Sequence, residues 1–262
     1  MQKSKALSDA RGRRDHYQSQ GYLRGFIHPE RERLPKPLWV FDLKRNEWSE
    51  KSPYQIGCER GFYDYPPDSK PDATADDAFR RLEDRFPRVR KRIRSDGYES
   101  WIQHRDTLVS FAAMMAARSP LFRTQTVSQI LPSLAGDPNG DVLAKNFSIT
   151  LMRAEIQRRP EDWQQYHWVL GYTKTPEYPF IASDQGVGMW GNGADLTEAY
   201  EQNDFWLWCP LSWDMCLIAS SQPLSGEPTA ELRLEQIIEI QTLARRQASI
   251  FVASPVRLPN WT

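Results

Sequence analysis

The feature that most restricts the fold is a change of hydrophobic period near residue 160. Upstream of it, Ala78, Phe79, Leu82, Phe86, Val89 and Ile93 recur at the spacing of one helix face, and Trp101, Leu108, Phe111, Ala112 and Met115 do so again. Downstream, Gln165-Tyr-His-Trp-Val-Leu170 alternates as a strand, and residues 205–209 and 215–219 read as two further strands. Residues 38–43 and 47–52 read as a hairpin turning at Lys44-Arg45-Asn46. Leu232 to Gln247 then reads as a helix burying Leu234, Ile237, Ile238, Ile240 and Leu243, and residues 250–253 as a closing strand or a short docked segment. Strands grouped apart from helices define an α+β fold and exclude alternating βαβ units. The expected architecture is an N-terminal helix and β-hairpin, a central helical bundle, and C-terminal mixed strands with a closing helix. It forms a single domain over 15–262, with a sub-boundary near 160, behind a flexible basic N-terminus at 1–14.

Local signals sharpen this plan. Asp15 is expected to cap a first helix running to Phe26 and ended by His28-Pro29. Residues 66–77 form a Pro/Asp-rich loop, and Pro87 is expected to kink or break the helix that follows. Further helices are expected over 121–131 and 141–158, a short strand over 179–183, a glycine-rich loop over 184–193, and a turn at Pro210-Leu-Ser212.

Charge is balanced in sum, 34 basic against 34 acidic residues, but not along the chain. Residues 80–94 hold eight basic and two acidic groups, whereas residues 175–244 hold eleven acidic groups and one basic group, Arg233. The basic run either binds phosphate or nucleic acid, or is a solvated face attracted to the acidic part. The longest apolar run, Phe111 to Ala117, stops at Arg118, far short of the roughly 20 residues a membrane span needs. No membrane partner is therefore expected. The opening MQKSKALSDARGRRDH has no apolar stretch after its lysines, which predicts no signal peptide and a cytoplasmic location. Cys58, Cys209 and Cys216 are too few and too scattered for a disulfide framework or a four-cysteine zinc site.

The chain carries no GxGxxG, P-loop, GxSxG, HExxH or CxxC motif. His16-Tyr17 pairs a group that titrates near neutrality with a hydrogen-bond donor, which suits acid–base work or a polar helix anchor. On a continuous helix Arg24 would lie about 80° from His16, bordering the same groove. Ser183-Asp184 stands at a strand end entering a glycine-rich loop, a place for a ligand or base, or for a turn. Arg118 stands at a helix end, where it clamps an anion or complements the helix dipole. Six tryptophans, at 163, 168, 190, 206, 208 and 213, crowd the acidic region and either stack a planar ligand or fill a strand layer.

Taken in order, these motifs resemble one family. His16-Tyr17-xx-Gln20-x-Tyr22-Leu23-Arg24-x-Phe26 is similar to the HYVPQFYLRxF opening of domain-of-unknown-function family 4238. Residues 38–42, Glu59-xx-Phe62-Tyr63, Arg118-x-Pro120, Pro179-Phe-xx-Ser183-Asp184 and Pro210-Leu-Ser212 resemble its later blocks, so that the resemblance covers roughly 15–255. Gln18-Ser19 stand where the family usually has Val-Pro, Gly186 where it has Pro in SDxP, and Trp213 where it has the second Pro of PLSP. The resemblance implies a fold and candidate residues, not a reaction.

Two expectations of function follow. In the first the chain is a hydrolase acting on a phosphodiester or nucleotide, a nuclease-like toxin or defence effector. His16 serves as acid or base beside Tyr17, Arg118 steadies a developing anion, and Asp184 orients His16 or holds a divalent metal. Arg24, Glu59, Ser183 and Trp168 contact the substrate. In the second, the same polar residues are a buried network, and the chain is a non-catalytic module binding nucleic acid or protein through its basic helix and aromatic region.

Overall fold

In the computed structural model, which describes residues 14–63, 75–191 and 204–259, the chain opens on a strand where the sequence predicts a helix. Strand β1 (Arg14–His16) pairs antiparallel with a later strand, and the Asp15 carboxylate accepts the Tyr63 amide at 3.2 Å instead of capping its own chain. The first helix, α1 (Gln20–Leu23), is capped by Ser19, whose hydroxyl accepts the Tyr22 amide at 3.2 Å, and a 3-10 turn at Arg24–Phe26 continues it.

Strands β2 (Leu38–Asp42) and β3 (Glu47–Lys51) form the expected hairpin, closed through Asn46 at φ 54°. β4 (Cys58–Arg60) pairs with β1. Of the expected loop at 66–77, residues 66–74 lie outside the described residues, as does the N-terminus before Arg14, and helix α2 (Ala75–Asp96) has begun by 75. α2 runs unbroken past Pro87. That proline sits where α1 crosses: a Cβ on Gly21 would come within 2.9 Å of the Pro87 ring.

A 3-10 stretch over Tyr98–His104 leads into α3 (Arg105–Ala117), followed by α4 (Pro120–Ile130) and α5 (Gly140–Gln164), which outruns its expected end at 158 by passing through Pro160. The strand half comprises β5 (His167–Tyr172), β6 (Ala182–Ser183), β7 (Gly188–Gly191), β8 (Phe205–Ser212), β9 (Met215–Ser220) and β10 (Thr229–Glu231), then α6 (Leu234–Gln247) and β11 (Phe251–Ser254). Two expectations fail here. Part of the glycine-rich loop is strand β7, and Pro210-Leu-Ser212 ends β8 instead of turning it. The turn is Trp213-Asp214, and the ladder bulges between Pro210 and Ser212, where proline has no amide to give.

The strands form a five-stranded sheet in the order β10-β5-β9-β8-β7, a four-stranded sheet in the order β3-β2-β11-β6, and the β1–β4 pair. Both large sheets are covered on both faces. Leu38, Val40, Ala253, Leu207 and Leu217 face the helices, where Phe86 of α2 stacks on Phe111 of α3 with centroids 3.7 Å apart. Phe41, Ile181 and Val252 of one sheet, and Trp208 and Cys216 of the other, meet α6 through Ala244 and Ile237. α6 is rotated from the expected face: Leu234 and Ile238 are exposed, and Gln241 is turned in to donate to the Pro179 carbonyl at 2.6 Å. This α+β arrangement agrees with the order of the sequence patterns.

Candidate functional site

Arg118 is the C-cap of α3, its amide bonded to the Met114 carbonyl. Its side chain is fully buried. Nε donates to the Tyr63 hydroxyl at 2.7 Å, one terminal nitrogen to Glu83 of α2, and the other to the His16 carbonyl of β1, while the Phe79 ring lies 4.2 Å away. Burial works against the charge, but Tyr63 and Glu83 outweigh it and hold the guanidinium above its ordinary pKa. Every nitrogen of this group is engaged.

Asp184 follows β6 and is equally buried. One carboxylate oxygen accepts the Ser249 amide at 3.0 Å and the Phe251 amide at 3.4 Å, and the other accepts the Ser249 hydroxyl at 2.5 Å and the Gln185 amide at 2.6 Å. These bonds fasten the β6–β7 corner to the start of β11. Burial raises the Asp184 pKa more than the hydrogen bonds from Ser249 and from the backbone at Ile250 and Phe251 lower it. Burial first, and the Asp184 charge second, push the Tyr17 phenol up as well.

The His-Tyr opening, Arg118 and Ser183-Asp184 do meet at one junction. Arg118 reaches His16, Gln18 donates to the Ser183 carbonyl, and the Gln185 side chain accepts the Leu121 amide at 3.3 Å at the start of α4. The other candidates do not join it. Arg24 is exposed at the end of α1, and with a strand at 14–16 the continuous helix that put it near His16 does not exist. Glu59 is exposed on β4 and pairs with Arg123 at 3.1 Å. Trp168 is buried in β5, its indole donating to the Trp163 carbonyl at 2.8 Å.

The departures from the family pattern each have a local reason. Ser19 caps α1, and Gln18 ties the first motif to Ser183. Gly186 has φ +70°, which the proline ring forbids, and a Cβ there would come within 2.6 Å of Met115. Trp213 donates its amide to the Gly25 carbonyl at 3.1 Å, a bond proline cannot make.

Next to the junction, between α4, α5 and the β7–β8 edge, lies a cavity of about 580 Å³ lined by Phe122, Gln125, Arg159, Gln185, Met189 and Leu207 among others. None of the eight candidate residues lines it. Among the described residues no three His, Cys, Asp or Glu side chains cluster as a metal site, and Asp184 has both oxygens committed to its own neighbours. No helix among the described residues is long and apolar enough to cross a membrane.

Two elements escaped sequence reasoning. Tyr63, Glu83 and Ser249 complete the junction from positions 35 to 65 residues away from the groups they bind, and Gln185, next to Asp184, reaches Leu121 across 64 residues. A second clasp joins Arg94 of α2 to Asp214 of the β8–β9 turn, where Nε donates to Oδ2 at 2.8 Å and Nη2 to Oδ1, with Ser212 and Tyr98 on the same carboxylate at 2.6 and 3.3 Å. Of the basic run at 80–94, this turns Arg94 inward. Arg90, unlike Arg94, is buried, donating to the Tyr22 carbonyl at 3.2 Å, and burial, with the Arg94 charge next, pulls it down to about 10.

Fold and junction thus define an α+β protein in which Gln18, Arg118, Asp184 and Gln185 belong to a buried polar clasp between its helical and strand halves. The chain belongs to the family described as protein of unknown function, domain-of-unknown-function family 4238, whose model matches residues 14–253. Neither curated proteins nor solved structures show a match to it.

Proposed function

We propose that the protein is a non-catalytic module that binds the phosphate backbone of nucleic acid along the outer face of α2. The observation that carries this reading is one arc of cations. Arg80, Arg81, Arg85, Arg88, Lys91 and Arg92 are all exposed, and none is paired with a carboxylate among the described residues. At 100° per residue they fall within about 140° of the helix circumference and along about 18 Å of its axis. Asp84 alone interrupts the arc. Such a stripe spans several phosphates of a duplex, which carries one charge per about 1.7 Å of axis.

The hydrolase reading draws less support. Arg118 and Asp184 spend their polar atoms on the fold, and none of the residues meant to act on substrate lines the neighbouring cavity.

The test is fluorescence anisotropy with short labelled DNA and RNA across a salt series. Binding that falls with a log–log slope of about −4 to −5 is expected, since each neutralised phosphate contributes about −0.9. Arg81→Glu, Arg85→Glu, Arg88→Glu and Arg92→Glu together should weaken binding at about 50 mM salt by tenfold or more and flatten the slope. No binding at that salt, or a quadruple variant that binds as the parent does, refutes the reading. Cleavage products on a denaturing gel, with or without Mg²⁺ or Mn²⁺, would restore the hydrolase.

A further inference from the structure

The far side of the five-stranded sheet carries a second concavity that the polar junction does not use. β7 is the edge strand, and in its register with β8 Trp190 lies directly opposite Trp206 and Gly188 opposite Trp208. Trp206 and Trp208 are two residues apart and so share one face of β8. The three indoles line a cavity of about 320 Å³ against α6, together with Leu243 and Glu239. Gly188 is required there: a Cβ on it would fall 2.1 Å from the Trp208 ring, so the glycine lets the indole lie over the edge strand. Trp190 is 41% exposed, a large apolar ring facing water.

Charge decides what such a cavity receives. No basic side chain lines it, and Glu239 pairs with no cation among the described residues. In sequence these residues fall within a stretch, 175–244, that carries eleven acidic groups and one basic group, except that Trp190 and Trp206 flank a segment outside the described residues. Indole faces attract cations, tryptophan most strongly among the aromatic side chains. The polar side chains of the lining are Glu239 and Gln236, and Gln236 Oε1 already accepts the Arg233 amide at 3.0 Å, which leaves the two carboxylate oxygens of Glu239 to face the three donors of a primary ammonium. A trimethylated ammonium has no such donors and presents methyl groups to the indoles.

We propose that the Trp190–Trp206–Trp208 cavity binds a small quaternary ammonium compound of net positive charge, its trimethylammonium head among the indoles and its charge balanced by Glu239. This site stands apart from the basic face of α2 and does not rest on it.

Isothermal titration of the full chain tests the proposal with choline, its neutral isostere 3,3-dimethylbutanol, and zwitterionic betaine. Choline should bind about tenfold more tightly than the neutral isostere, the scale of a cation over an aromatic face, and more tightly than betaine, whose carboxylate meets Glu239. Glu239→Gln, an exposed change on α6, should weaken choline several-fold and leave the isostere unchanged. Trp206→Ala should abolish choline binding while far-ultraviolet circular dichroism stays that of the parent. Equal binding of choline and the isostere, or choline binding untouched by Glu239→Gln, overturns the proposal, and so does the absence of choline binding at millimolar concentration. If Trp206→Ala fails to fold, the comparison of choline with the isostere and the Glu239→Gln variant still decide the matter.

Discussion

The guanidinium of Arg118 donates to the main-chain carbonyl of His16, joining the end of α3 to the first strand across 102 residues of chain. The same group holds Tyr63 and Glu83, so one side chain ties four segments together. Removing it leaves a mostly buried carboxylate without its cation, and losses of about 3–5 kcal/mol are usual for breaking such a pair. Arg118→Ala should therefore lower the stability of the whole chain by about 3 kcal/mol or more. Arg118→Lys should recover little, because an ammonium cannot span three acceptors in the planar fork of arginine. Denaturant titration measures both. A loss under about 1 kcal/mol for the alanine variant would show that the clasp is not structural.

Asp184 predicts a pH dependence of definite sign. Its pKa in the fold lies above the ordinary carboxylate value, so between those two values the folded state holds more proton than the unfolded state. Stability contributed by this group is therefore present at acid pH and lost as pH rises through the raised pKa. Asp184→Asn removes that titration and also loses acceptors for Ser249 and Gln185. The parent should be the more stable of the two, with an advantage that is larger at about pH 4 than at about pH 7. Chemical denaturation of both proteins at the two pH values reads this directly, and an advantage that grows toward neutrality contradicts it.

Gly186 offers a test of the departures from the family pattern. Its φ of +70° and the approach of Met115 leave no room for a side chain, and its amide bonds the Ser183 carbonyl at 3.0 Å. Installing the family's usual proline, Gly186→Pro, should cost about 3 kcal/mol or more, because the ring fixes φ near −65° and deletes the amide. Gly186→Ala should cost about 1–2 kcal/mol from the positive φ and the crowding together. Thermal melts suffice. A proline variant as stable as the parent would mean that the corner changes its backbone conformation freely.

The parts of the fold that were legible were those whose cause lies within a dozen residues. The hairpin at 38–52 and the helices of the central bundle follow from local period and turn chemistry, and the structure has them. The parts that were not legible owe their form to distant partners. Asp15 is a good cap in isolation, but β4 recruits it into a ladder and Tyr63 takes its carboxylate, so the helix starts at the next capping residue, Ser19. The glycines at 188 and 191 suggest a loop, yet Gly188 sits in a strand because Trp208 fills the space its side chain would need. The same holds for the site. Arg118 and Asp184 stand out in their motifs as polar groups with work to do, but nothing near them in sequence reveals that Glu83 and Tyr63 occupy the one and Ser249 the other.

The Arg94–Asp214 clasp makes the final prediction. Asp214 is almost fully buried in the β8–β9 turn, whereas Arg94 is partly exposed on α2. The two partners are therefore not equivalent. Arg94→Ala strands a buried carboxylate with only Ser212 and Tyr98 as hydrogen-bond donors, and should cost about 3 kcal/mol. Asp214→Asn removes the charge but keeps the shape of the turn and an oxygen for one donor, and Arg94 can turn toward water, so its cost should be smaller, about 1–2 kcal/mol. Once the carboxylate is neutral, losing Arg94 strands nothing. The double variant Arg94→Ala/Asp214→Asn should accordingly be more stable than Arg94→Ala alone, a reversal that independent sites cannot produce. Urea denaturation of the three variants and the parent supplies the cycle. A double variant less stable than Arg94→Ala would place the worth of the clasp in packing by the arginine stem, not in the pairing of charges.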